Sequence, residues 1–119
     1  MKLGSDIAVG VVAFLHTYFF VLETFLWRTR LGRRVFGHTR EQGEATYVLM
    51  QNQGVYNLFL AAGLCWALVS SDPALALGLK TFFLSCVVVA GVVGAVTANW
   101  RILLVQSLPA GVGLALSWL

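Results

Sequence analysis

Charge is scarce in this chain. Only 11% of its 119 residues are charged, against 59% hydrophobic, and the mean hydropathy is +0.83. A soluble domain carries about 25% charged residues, so a water-exposed globular fold is not expected. Cysteine is nearly missing. Cys65 and Cys86 sit in apolar runs without CxxC or metal-ligand spacing, which suits small packing residues. His16 and Glu23 alone are too few ligands for a metal, and no nucleotide-binding motif is present, so no cofactor is expected. The net charge of +3 does not imply nucleic acid, because Arg28, Arg30, Arg33, Arg34 and Arg40 cluster between two apolar segments in a run too short for a reading module. The apolar run from Ile7 to Trp27 is too long for the core of a signal peptide, and no small-residue cleavage site follows it. It is expected to remain as a first helix.

The apolar runs predict an all-α membrane protein, a four-transmembrane-helix bundle forming a single domain over residues 1–119. At ~20 residues per span, four spans fill most of the chain. Helices are expected at about 6–27, 44–69, 73–98 and 100–119. Ser5 or Asp6 is a candidate cap for the first. Thr39 and Gln42 have capping-box spacing before the second, and a short helical turn is expected there. Ser70-Ser71-Asp72-Pro73 is a turn, with Asp72 or Ser71 capping the third helix and Pro73 in its first position. Lys80 is expected to snorkel to the surface. Ala90, Gly94 and Ala98, with Gly91 and Ala95, form small-residue rows that let helix backbones approach. Pro109 is expected to kink the fourth helix and free a carbonyl near Val105.

Of the eight Lys and Arg residues, all but Lys2 and Lys80 lie in the loop after helix one or just before helix four. The basic side faces the cytoplasm in membrane proteins. The loop 28–43 is therefore expected inside and both termini non-cytoplasmic, in a membrane of the bacterial inner (cytoplasmic) type. Trp27 and Trp100 fall at one predicted boundary, Trp66 and Trp118 at the other.

This topology gathers the polar residues in one leaflet. Glu23 lies ~6 Å below the end of its helix. Gln51, Asn52, Gln53, Tyr56 and Asn57 occupy the cytoplasmic half of helix two, and Gln106 lies in the same half of helix four. Buried amides need partners, because an unpaired polar group in hydrocarbon costs several kcal/mol. A polar pocket with a hydrophobic floor is expected. His16, Phe20, Glu23 and Trp27 share one face of helix one, with His16 and Glu23 two turns apart. The bland readings are an interfacial anchor for Glu23, a hydrogen-bonded core histidine for His16 and interhelical glue for the amides.

The chain resembles a bacterial and fungal family of small integral-membrane proteins catalogued as domain of unknown function 1304. The resemblance covers nearly the whole chain. It rests on His16 through Phe20, Val21-Leu22-Glu23 with Phe25-Leu26-Trp27, Gly32 to Gly37, Asn52-Gln53-Gly54-Val55-Tyr56-Asn57, Val89-Ala90-Gly91 and Leu103 through Ala110. It implies a four-helix membrane protein and transfers no activity.

Three functions fit these residues. The first is a membrane-embedded enzyme using acid/base chemistry on a lipophilic small molecule, of isomerase, cyclase or epoxide-opening type. Glu23 would be the acid or base, helped by His16 or Tyr56. Asn52, Gln53, Asn57 and Gln106 would orient the substrate, with Phe20 and Trp27 flanking it. The second is a small proton-coupled transporter of lipophilic compounds, working as a homodimer so that its site is reachable from both sides. The third is a structural or accessory subunit. The partners expected are the lipid bilayer, a lipophilic small molecule and, for transport, a second copy.

Overall fold

In the computed structural model, which describes residues 2–119, the chain is all helical, with no strand among the described residues. Helix α1 spans Lys2–Thr24, α2 Arg30–Phe36, α3 Arg40–Val69 and α4 Pro73–Thr97. A π-helical turn, Leu103–Ser107, leads into α5, Leu108–Ser117. Two of these, α1 and α4, are long and apolar enough to cross a membrane, and Leu103–Ser117 is a shorter apolar segment.

Local chemistry explains most helix ends. Asp72 caps α4 through its side chain, accepting from the Ala74 amide at 3.0 Å, with Pro73 in the first turn. The Thr39–Gln42 capping box forms in both directions, at 2.8 and 3.1 Å. It starts α3 at Arg40, ahead of the expected Glu44. In the arginine-rich loop Thr29 caps α2, accepting from the Gly32 amide, and Gly37 closes it at φ 74°. That is the left-handed conformation glycine adopts without penalty. Helix α1 stops at Thr24 rather than Trp27, because a turn follows in which the Thr29 hydroxyl donates to the Leu26 carbonyl.

The irregularity expected at Pro109 appears just upstream of it. Proline lacks the amide that would bond Val105 and its ring crowds that carbonyl. The chain widens into the π-turn, where the Leu108 amide reaches back to the Leu103 carbonyl. This register turns Ser107 inward, and its hydroxyl donates to the Val88 carbonyl at 2.9 Å. Gly91 makes room for it: a Cβ there would lie 2.1 Å from Ser107 Oγ.

The chain packs as two compact units. One comprises the chain up to Phe14 with Leu60–Leu119, the other Leu15–Phe59. Val9, Val12, Ala13, Leu64, Leu84, Val87 and Ala110 form the buried core of the first, with Phe83 packed against it. Gly63 seats the Phe83 ring, since a Cβ would meet it at 2.3 Å.

Lys80 departs from expectation. Its side chain is only 9% exposed, and its ammonium donates to Ser5 Oγ at 2.9 Å and Asp6 Oδ1 at 2.6 Å. The expectation of a snorkelling lysine is therefore corrected, and so is that of Ser5 or Asp6 as a helix cap. Helix α1 begins at Lys2, placing Ser5 and Asp6 within it, and a buried ammonium takes the nearest carboxylate and hydroxyl.

Candidate functional site

Within the second unit, Gly54 sets the geometry. A Cβ at this position would lie 2.2 Å from Thr24 Oγ1, 3.1 Å from the Thr24 amide and 3.2 Å from the Phe20 carbonyl. Only a glycine lets the end of α1 lie this close to α3. Asn57 follows Gly54 by three residues and so shares its face. There its Nδ2 donates to Glu23 Oε1. Both residues are buried, as is Leu22, next to Glu23 in sequence. Thr24 Oγ1 is buried against Gly54 with no hydrogen-bond partner among the described residues.

The residues expected to line a pocket separate here. Glu23 and Asn57 come together. Asn52, Gln53 and Tyr56 are on the exposed side of α3, Tyr56 56% exposed. Gln51 is exposed as well. Helical phase explains two of them: with Gly54 and Asn57 facing α1, Asn52 and Tyr56, four residues apart, share the opposite face; Gln53, one turn before Asn57, lies at the edge of the inward face and is exposed. Tyr56 meets Phe59 edge-on, centroids 6.0 Å apart. His16 is fully buried and meets the edge of Phe19 at 5.8 Å. It lies two turns from Glu23 along α1, ~10 Å. Phe20 is partly buried and packs edge-on against Phe25 at 5.7 Å. Gln106 belongs to the first unit, on the π-turn and partly buried.

Trp27 is a strut. Its Nε1 donates to Thr46 Oγ1 at 2.9 Å. Its ring stacks on His38 with centroids 4.0 Å apart and planes 18° apart, and its carbonyl lies 2.9 Å from His38 Nε2. Gly32 packs on the Leu26 and Trp27 carbonyls, and Gly43 on the His38 ring. This knot fixes the connection between α1 and α3 and so the alignment of Glu23 with Asn57. The arginine side of the unit is satisfied independently: Arg28 lies 3.5 Å from Glu44 and 4.0 Å above the Tyr47 ring.

Sequence reasoning missed His38, Thr46, Thr24 and Gly54. The glycine carried the one usable signal, since an isolated glycine in a helical pattern points to a close backbone approach. For the other three, the partner is fixed by folding and leaves no local mark. Among the described residues no group of three or more His, Cys, Asp and Glu side chains could hold a metal ion.

Fold and site together define a class: an all-helical protein with two membrane-length helices and a buried carboxyl held by an amide between two helices. The chain belongs to the family described as Protein of unknown function (DUF1304), whose model matches residues 10–118. It is similar to "Uncharacterized protein YpaA" of Lactococcus lactis subsp. lactis, 32% identical over 98 residues and covering 81% of each chain. No solved structure matches it.

Proposed function

We propose that the chain is an integral membrane protein, a bundle of four membrane helices, in which Glu23 gives and takes a proton for a lipophilic small molecule. Support for the membrane comes from what the apolar helices leave uncovered. Only 33% of the apolar window of α1 and 22% of that of α4 is buried, whereas the core helix of a soluble protein is mostly buried. Phe14 is 70% exposed and Val96 81%. Helix α3, at 30 residues, and the apolar segment Leu103–Ser117 supply the other two spans. The arginine-rich connection lies on the cytoplasmic side of a bacterial inner membrane.

One observation carries the chemistry: a buried carboxyl whose hydrogen-bond partner is a neutral amide. A structural anchor would sit at the interface against a cation, yet Arg28 is engaged by Glu44 and Tyr47. Ionisable side chains inside a span are functional by default. Asn57 orients Oε1 and leaves Oε2 to exchange the proton. Acid/base turnover of the isomerase, cyclase or epoxide-opening kind needs one such group beside an apolar substrate. Gln53, exposed on α3 one turn before Asn57, would meet the polar end of a molecule arriving from the lipid; Asn52 and Tyr56 face the other side of α3. In this reading His16, Trp27 and Gln106 shape the bundle and do not touch the substrate.

A second reading, proton-coupled transport, has one observation in its favour. Helix α1 carries Asp6 near its start, paired with Lys80, and buried His16 and Glu23 farther along. Ionisable groups spread along one span are a feature of proton relays.

Native mass spectrometry of the gently purified protein, with extraction of co-purifying small molecules, tests the proposal. A discrete terpenoid- or polyketide-like molecule retained by wild type and lost or altered in Glu23→Gln is the expected result. Binding of lipophilic cations with stoichiometric proton release would move the assignment to transport. An unchanged small-molecule profile in both Glu23→Gln and Asn57→Ala would sink both readings.

A further inference from the structure

Lys80 is at the centre of a second polar cluster, within the first unit, whose hydrogen bonds can be followed atom by atom. Ser117 Oγ lies 2.7 Å from the Gly113 carbonyl and gives its single proton there. Ser5 Oγ lies 2.9 Å from Ser117 Oγ, so Ser5 must be the donor between the two hydroxyls. Lys80 then donates to the Ser5 oxygen, as an ammonium must, and gives a second proton to Asp6. An ammonium has three N–H donors. The third has no acceptor among the described residues, although the side chain is only 9% exposed.

Space for an acceptor is at hand. Lys80 lines a cavity of about 250 Å³ together with Lys2, Ser5, Ser117, Leu77 and Pro73. Among the described residues, the charged ones of its lining are both lysines, and Asp6, which partners Lys80, is not part of the lining. Asp6 balances one of the two positive charges, so the cavity keeps an excess of about one. Its volume is below the ~300–1,000 Å³ of pockets for drug-sized ligands. That limits the occupant to a small anion or the charged end of a larger molecule.

We infer that this cavity binds a phosphate-type anion, held by the free N–H of Lys80 and by Lys2 at the rim, the single proton of Ser5 being already given to Ser117. A neutral ligand would leave the excess charge unanswered, and a cation would be repelled by it. Phosphate offers several acceptor oxygens to converging donors. It is available as the headgroup of an anionic phospholipid or as the free ion. The site is independent of Glu23 and of the reading given to it.

The test uses the full chain. Wild type is reconstituted in nanodiscs of phosphatidylcholine alone or with phosphatidylglycerol, and titrated separately in detergent with sodium phosphate against sodium chloride at matched ionic strength. Thermal unfolding and native mass spectrometry are the readouts. Saturable stabilisation by sodium phosphate beyond that of chloride identifies the free anion. Retention of phosphatidylglycerol through detergent extraction, without a phosphate effect, identifies the headgroup. In either case Lys2→Gln should weaken binding about fivefold with an unchanged circular dichroism spectrum, and Lys80→Gln should abolish it. Asp6→Asn should tighten binding, because it removes the competing carboxylate; a purely structural ion pair would lose stability and gain no affinity. If Lys80→Gln fails to fold, Lys2→Gln and Asp6→Asn still decide. No effect of phosphate or phosphatidylglycerol on wild type, or equal binding by Lys2→Gln, overturns the inference and leaves a water-filled cavity.

Discussion

Glu23 and Lys80 are both withdrawn from solvent, but they are partnered in different ways. Lys80 has a carboxylate and a hydroxyl, so its charge is answered in place. Glu23 has an amide, which holds one oxygen and supplies no charge. Interhelical polar contacts in membrane proteins are worth about 0.6 kcal/mol on average and up to about 1.7. A double-mutant cycle of Glu23→Ala and Asn57→Ala, read by thermal unfolding in detergent, should therefore give a coupling of about 1 kcal/mol. Glu23→Gln keeps an accepting oxygen opposite Asn57 and should unfold within about 0.5 kcal/mol of wild type while losing the proton exchange proposed for Glu23. Equal loss of function and of fold in that variant would make Glu23 structural.

Among the helices, α1 and α3 depend on two small features. One is the close approach at Gly54. Gly54→Ala puts a methyl group into Thr24 Oγ1 and two backbone atoms, and overpacking of this kind typically costs 1–3 kcal/mol, here expected to be about 2. Thr24→Ala in the same chain should restore only part of that loss, since the contacts at the Thr24 amide and Phe20 carbonyl remain. Full rescue would show that the backbone gives way. The other feature is the Trp27 knot. Trp27→Phe preserves an aromatic face for His38 but removes the donor to Thr46. It should destabilise by about 1 kcal/mol, matching Thr46→Val, and the two changes together should cost little more than either. Additive losses would mean that the two side chains act separately.

At the scale of the whole molecule, the distribution of arginine makes orientation testable. Reporter fusions or cysteine labelling should place the Arg30–Phe36 helix in the cytoplasm and the C-terminus outside. Replacing Arg28, Arg30, Arg33 and Arg34 by Gln, with lysines added at Ser70 and Ser71, should invert part of the population, because basic residues near span ends set topology. An orientation insensitive to these charges would remove the basis for placing the loop inside.

Much of this protein was legible residue by residue in its sequence. The all-helical class followed from the scarcity of charge and from the apolar runs. Asp72, Pro73, the Thr39–Gln42 box and Pro109 marked where the backbone would start or deform, because capping and proline sterics act within one turn of chain. What lay beyond one turn could not be read in that way. Asn52, Gln53 and Asn57 are similar amide candidates on paper; Gly54, by seating on Thr24, sets the helical phase that turns Asn57 inward and Asn52 out, while Gln53, one turn before Asn57, stays exposed at the edge of that face. Glu23 and Asn57 are 34 residues apart, and Lys80 lies 75 and 74 residues from Ser5 and Asp6. The sequence alone determined the helices and their ends through local backbone energetics. Only the tertiary structure decided which polar side chains meet, because pairing over such separations depends on the packing of whole helices.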